Sequence, residues 1–381
     1  MKVIIFSVSA GGGHAHAAEA IKNYILENEP GSEVEIIDTL KYINRFIDKV
    51  VVGSYLNTIK ITPSLFGKLY NFTENEGGIS TVSGKVSELL TSKLLPLIDK
   101  FSPDILLSTH PFSTEMISIL KLKYKIDIPL AAILTDFAPH KYWIHPGIDA
   151  YIVSNFDMID EMVNRGVEKA IIHDLGIPVM KEFMKSFNRE ETLKELGLKT
   201  DKPTILIMGG SLGMGKISEV YEELIKTSMD IQILVIAGNN KKLFSELTKL
   251  QEHSNKTTKV LSYTNNINKY MQACDLLLTK PGGLTITEAL ICKIPLAVFS
   301  PIPGHEEHNA QFLFRHNLAI SIQNIKRSKT IIEDLLNTPS VLKSMKGNCE
   351  IYAKPDSGNE IYYLLSTLIK NYESITKSSN N

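Results

Sequence analysis

Short apolar runs recur along the chain, about four to seven residues long, each parted from the next by a stretch of helical periodicity. The first series reads KVIIFSV, VEIIDTL, DILLSTH, PLAAILTD and AYIVS, and AIIHDLGIPV closes it. Apolar runs alternating with helical patterns predict a parallel α/β sheet whose strands are buried. After Gly176-Ile177-Pro178 a charged, helix-prone stretch, MKEFMKSFNREETLKELGL, interrupts the pattern. A second series follows: PTILIMGGS, IQILVIAG, TKVLSY, CDLLLTK and IPLAVFSP. The expectation is two open α/β domains, 1–177 and 178–355, with ligands at the carboxyl ends of the strands, facing the cleft between domains. A helix over 356–374 is expected to return to the first domain, and the polar end SITKSSNN to leave 375–381 disordered.

Composition narrows this picture. A chain of 381 residues is long enough for two cores, and its net charge of −1 gives no reason to expect nucleic acid or a strongly acidic partner. The three cysteines, Cys274, Cys292 and Cys349, show no zinc spacing and no disulfide framework, which fits a reducing, cytosolic setting. No apolar stretch reaches the roughly eighteen residues of a spanning helix, which leaves a place on a membrane surface open. The opening MKVIIFSVSAGGGHAHA imitates a signal peptide. Its apolar part is too short and too β-branched for that, and reads instead as a buried first strand entering a βα turn.

Three glycine-rich turns carry the candidate chemistry. In SAGGGHAHAAEAI, Gly11 and Gly13 fit a dinucleotide fingerprint and Asp38 ends the second strand, but His16 stands where the third glycine belongs. His14 and His16 form an H-x-H pair; residues two apart on a helix do not share a face, and no third ligand has usable spacing, so no metal is expected. GGSLGMGKI nearly spells a P-loop, with Gly210, Gly215 and Lys216 in register, yet Ile217 occupies the position of the magnesium-holding hydroxyl. What survives is a backbone able to approach a phosphate. In TKPGGLTITEAL, Gly282, Gly283, Leu284 and Thr285 would present amides and a hydroxyl at a helix N-terminus, and Glu288 is placed to accept from a vicinal diol. No D-x-D occurs in the chain, which argues against a metal-held diphosphate and for stabilisation by amides.

These turns, with SPDILLSTHPF, ILTDFAPHKYWIHPGID, GIPV and PIPGHEEHNAQFL, stand in an order and spacing that resembles one family over most of residues 1–320. It is the family of monogalactosyldiacylglycerol synthases and processive diacylglycerol glucosyltransferases. The resemblance implies a GT-B fold: two Rossmann-like α/β domains with an inter-domain cleft. It implies an inverting transferase that moves glucose or galactose from a UDP-hexose to diacylglycerol, the number of sugars left open. UDP is then expected on Gly210, Ser211, the turn Pro281, Gly282, Gly283, Leu284, Thr285 and Thr287, and Glu288, with Tyr263 near the base. His305, Glu306 and Asn309 would face the donor sugar. The family usually has glutamine where His305 stands, and His308 is also unusual, so the hexose stays undecided. The resemblance places the acceptor near Gly12, Gly13, Asp136, His140, Trp143 and His145.

The same family places its catalytic base at His14. The chemistry agrees: attack by an alcohol needs its proton removed, a neutral imidazole is suited to that at cellular pH, and a helix N-terminus favours the neutral ring. Residues 41–72 hold Lys41, Arg45, Lys49, Lys60 and Lys68 against the single acid Asp48, with aromatics and aliphatics interleaved. Such a segment suits an anionic bilayer surface, and the enzyme is expected at the cytoplasmic face of the cell membrane as a peripheral protein. No cofactor is expected beyond the UDP-sugar substrate. The competing readings are N-acetylglucosamine transfer to lipid I, an NAD-dependent oxidoreductase, and a non-catalytic nucleotide sensor.

Overall fold

In the computed structural model the described residues are 1–9, 12–43 and 91–379. The chain divides into two units. One comprises Met1–Met180, Pro303–His305 and Asp356–Asn381; the other comprises Lys181–Ile302 and Glu306–Pro355.

The first unit is built on six parallel strands, β1 (Lys2–Ser7), β2 (Glu33–Asp38), β3 (Ile105–Ser108), β4 (Leu130–Ile133), β5 (Ala150–Ile152) and β6 (Ile172–His173). They lie in the order β2-β1-β3-β4-β5-β6, with Val3 level with both Val34 and Ile105. Four consecutive apolar residues of β1 are fully buried because helices cover both faces. Val3 and Ile5 join a cluster with Ile21, Tyr24 and Ile25, whereas Ile4 and Phe6 join Met116, Ile117 and Leu120 on the other face. The chain leaves β1 for β2 on one side and later reaches β3 on the other. That reversal puts a topological switch point at the carboxyl ends of β1 and β3, where α/β sheets bind ligands.

The last helix, Ser357–Ser379, packs on the helix Gly13–Asn28 of this unit. A Cβ at Gly358 would lie 2.2 Å from the Tyr24 ring, so only glycine permits the approach. Ile361 and Leu365 complete the contact in the cluster of Ile21 and Tyr24. The helix runs on to Ser379, into the stretch read from the sequence as a disordered tail; no Gly or Pro interrupts it after Gly358. Tyr372 anchors that last part, its hydroxyl 3.0 Å from Lys121 Nζ and bonded to Asp149.

The second unit repeats the plan with β7 (Thr204–Met208), β8 (Gln232–Ile236), β9 (Thr257–Leu261), β10 (Leu276–Thr279), β11 (Leu296–Phe299) and β12 (Ala319–Ile322). Their order is β12-β11-β10-β7-β8-β9, all parallel, so the switch point falls between β7 and β10. Strand β12 is absent from the sequence expectation. It is a four-residue edge strand, AISI, only half of it buried, and carries no strong apolar run.

Among the described residues no helix is long and apolar enough to cross a membrane. Of the basic segment read as a membrane face, Arg45, Lys49, Lys60 and Lys68 lie outside the described residues. Lys41 lies within them and is paired: its Nζ is 2.7 Å from Asp38 Oδ2.

Candidate active site

At the switch point of the first unit the chain leaves β1 and enters the helix Gly13–Asn28 with Gly12 at φ 90°, a conformation that glycine adopts freely. No side chain caps this helix start. His14, half-buried, is its second residue, and His14 Nδ1 lies 2.8 Å from the Thr109 carbonyl and 2.7 Å from Thr135 Oγ1. A carbonyl only accepts, so Nδ1 carries the proton and Nε2 keeps its lone pair. The Thr109 hydroxyl stands 3.0 Å from the His14 carbonyl and 2.9 Å from Ser7 Oγ, tying the ends of β1 and β3 to the helix start. Burial holds the His14 pKa below its ordinary 6.5, against the opposing pull of the Asp136 carboxylate and the Thr109 bond. The ring is therefore neutral at neutral pH, with a basic nitrogen available.

His110 stands beside it. It ends the β3 turn and caps the helix Pro111–Tyr124, Nδ1 accepting from the Phe112 amide at 3.1 Å. Its ring centroid is 4.5 Å from that of His14, the planes inclined at 69°. Thr109, His110 and Thr135 are the residues that sequence reasoning passed over in this unit. The signal was present in Thr-His-Pro at a strand end, where proline marks the first helical position and the residue before it the cap.

The other residues expected on this side have local work. His140 is buried, and its Nδ1 accepts from the Tyr142 amide to cap a short turn, Lys141–Trp143. His145 Nε2 donates to the Tyr142 carbonyl at 2.8 Å, while Tyr151 Oη accepts from the His145 amide and donates to its carbonyl. Trp143 is fully buried in the core cluster that holds Leu106 and Met116. His16 is exposed, and among the described residues no group of three or more His, Cys, Asp or Glu side chains could hold a metal. Asp38, the acid a dinucleotide reading needs for its ribose, accepts from the Ser9 hydroxyl at 2.5 Å and from Lys41; burial opposes these bonds, which still hold its pKa low.

In the second unit the turn after β7 is locked by close backbone approaches. A Cβ at Gly213 would meet the Ala237 carbonyl at 2.1 Å, whereas one at Gly210, φ 69°, would enter open space. The turn thus packs inward through Gly213 and leaves Gly210 bare. Ile217 is fully buried in the core with Ile205 and Val235, which explains an apolar residue where a P-loop needs a hydroxyl. Across the switch point, Gly282 precedes the helix Gly283–Ile291, again with no side-chain cap. Its first amides are therefore available to an anion. Thr287 donates back to the Gly283 carbonyl, and burial pushes the Glu288 carboxyl up to about 8. Tyr263 is exposed beyond the carboxyl end of β9.

Glu306 and Asn309 hold this turn. Glu306 Oε1 pairs with Lys280 Nζ at 3.0 Å and Oε2 accepts from the Ile302 amide at 2.7 Å, while Asn309, fully buried, donates to the Pro281 carbonyl at 3.1 Å. Lys280, the cation that neutralises Glu306, went unmarked in the sequence because the glycines beside it drew the reading. His305 begins the helix His305–Arg315.

Comparison with known proteins bears on both units. The family model described as monogalactosyldiacylglycerol (MGDG) synthase matches residues 14–179, beginning at His14. The glycosyltransferase family 28 C-terminal domain matches residues 204–357. A processive diacylglycerol beta-glucosyltransferase of Staphylococcus epidermidis is 31% identical over 346 residues, 90% of this chain and 87% of that protein. One from Bacillus cereus is 26% identical over 370 residues, 96% of this chain and 93% of the relative. Among solved structures, MurG of Acinetobacter baumannii matches with a TM-score of 0.62 at 15% identity, over 96% of this chain and 99% of that one. UDP-GlcNAc 2-epimerase of Neisseria meningitidis, bound to UDP-GlcNAc, matches with a TM-score of 0.61 at 15% identity, over 96% of this chain and 100% of that one. At such identity the likeness shows the fold, two α/β domains of the GT-B kind.

Proposed function

Because the chain belongs to the family of monogalactosyldiacylglycerol synthases and processive diacylglycerol beta-glucosyltransferases, we propose that it transfers a hexose from a UDP-sugar to the hydroxyl of diacylglycerol. The observation that carries the mechanism is the Thr109 carbonyl on His14 Nδ1, which fixes the tautomer that leaves Nε2 basic. The acceptor hydroxyl donates to Nε2, its oxygen attacks the anomeric carbon, and the proton passes to the ring as the new bond forms. The bond from that carbon to the UDP oxygen breaks, and UDP leaves with the electron pair. Attack from the face opposite UDP inverts an α-linked donor to a β-glycoside. Asp136, whose charge favours the protonated ring, stabilises the imidazolium that results.

The donor belongs to the second unit. The bare Gly210–Ser211 turn and the uncapped amides of Gly283–Ile291 bind the diphosphate, and the helix dipole offsets the charge that develops on departing UDP. No step of this scheme uses a metal or a resident cofactor. Glu288, neutral below about pH 8, both donates to and accepts from the ribose diol. A lipid acceptor calls for work at a bilayer surface, and in this reading the protein acts at the cytoplasmic face of the cell membrane, held to anionic lipid by the basic residues of 41–72. The dinucleotide alternative loses its ribose acid to Ser9 and Lys41. Transfer to lipid I draws only on fold likeness at 15% identity.

The test is transfer of labelled sugar from UDP-glucose and, separately, UDP-galactose to diacylglycerol in anionic liposomes, with the anomer of the product read by NMR. A β-glycosyl diacylglycerol from one donor is expected. Transfer from neither donor, or an α product, would overturn the proposal.

A further inference from the structure

Imidazole has two nitrogens that point apart, and the two histidines at the first unit's switch point are set in opposite tautomers. His14 gives its Nδ1 proton to the Thr109 carbonyl and keeps a lone pair on Nε2. His110 does the reverse: Nδ1 accepts from the Phe112 amide, so the ring proton sits on Nε2 and is directed away from the helix Pro111–Tyr124. Among the described residues no hydrogen bond takes that proton, although the ring is only half-buried and lies 4.5 Å from His14. Burial, and then the charge His14 carries when protonated, hold the His110 pKa well below its ordinary value. His110 is thus a fixed N–H donor beside a base, and it neither competes for the acceptor's proton nor repels the imidazolium.

The group best matched to such a donor is a neutral oxygen that cannot itself donate. Resting on the reading of the acceptor as diacylglycerol, we infer that His110 binds an ester carbonyl of the glyceride through Nε2–H, and so makes this enzyme select acyl over alkyl glycerols. The free hydroxyl of diacylglycerol is next to an ester on the same glycerol, so one molecule meets both rings: hydroxyl to His14, carbonyl to His110. An ether-linked dialkylglycerol offers the same hydroxyl with no carbonyl. It would leave the His110 proton without a partner, and a neutral hydrogen bond lost in this way is worth roughly tenfold in kcat/KM.

The experiment compares kcat/KM for diacylglycerol and for the matching dialkylglycerol in liposomes of one composition, in the parent and in His110→Asn. Asparagine is a good N-cap and preserves the bond to the Phe112 amide, so folding is retained while the Nε2 donor is lost. The parent is expected to prefer the ester about tenfold. His110→Asn is expected to keep the parent melting temperature and UDP affinity and to bring the ester-to-ether ratio near one. His110→Ala loses the cap as well and is expected to melt lower with the same collapsed ratio. A parent that uses both acceptors equally, or an asparagine variant that restores the ester preference along with the melting temperature, would overturn the inference and leave His110 as a helix cap. If neither glycerol is glycosylated, it is the proposed function that fails, an outcome distinct from the loss of ester preference.

Discussion

Replacing Glu306 by glutamine removes one charge and almost no volume, yet the structure predicts a large effect. Its carboxylate serves two donors at once, Lys280 Nζ at 3.0 Å and the Ile302 amide at 2.7 Å, and the two side chains of the pair are only 10% and 8% exposed. Glutamine has one acceptor oxygen. It can satisfy the lysine or the amide, and its own NH2 then faces the donor left over. Breaking a buried pair by removing one partner costs about 3–5 kcal/mol, because the remaining charge stays out of water without compensation. At about 2–4 °C per kcal/mol for a domain of this size, the second unit should melt about 6–20 °C lower. Lys280→Met added to Glu306→Gln removes the stranded cation, and glutamine can then serve the Ile302 amide alone. The double variant should therefore recover most of the loss, a coupling read from a thermodynamic cycle of the four proteins by urea unfolding. UDP affinity should follow stability, since the pair joins the turn after β10 to the one after β11. A Glu306→Gln protein within about 0.5 kcal/mol of the parent would refute the reasoning.

Three further outcomes follow from single contacts. Burial raises the Glu288 carboxyl from 4.5 to about 8, so in that window the folded state holds more protons than the unfolded one; stability should fall as pH rises from 5 to 8 and level off above it. The decline, on the order of 1–3 kcal/mol for a partly exposed group, should vanish in Glu288→Gln, and urea unfolding at the two pH values measures it. Gly358→Ala sets a Cβ 2.2 Å from the Tyr24 ring and should cost about 1–3 kcal/mol by overpacking, with the helix Ser357–Ser379 exchanging its amides faster; unchanged exchange would show that the ring yields freely. Thr135→Val removes the hydroxyl 2.7 Å from His14 Nδ1 and should lower kcat roughly three- to tenfold, with UDP affinity, measured by calorimetry, unaltered.

Much of this was legible in the chain. Short apolar runs marked β1 to β11, unbroken where the strand is buried, and a glycine is needed where backbone must turn left, so the turns at Gly12 and Gly210 were visible too. Gly282, at φ −71° with open space around it, was visible only as part of a Gly-Gly pair ahead of a helix. Strand β12 was not, because an edge strand with one covered side needs no such run. The residues around His14 were harder. Thr109, His110 and Thr135 come from the ends of β3 and β4, about a hundred positions away, and only the strand order brings them to the end of β1. Counting charges along the sequence does not show which of them are paired: Lys41 belongs to an excess of cations but pairs with Asp38, which lies just before the counted window.

The central claim is that His14 takes the proton of a diacylglycerol hydroxyl as a UDP-hexose transfers its sugar. Initial rates of glycolipid formation in anionic liposomes, for the parent and His14→Ala beside their UDP affinities, test it most directly. The account predicts a loss of kcat of about a hundredfold or more with UDP affinity within twofold of the parent. A His14→Ala enzyme that turns over at the parent rate, or a parent that makes no glycolipid at all, would contradict it.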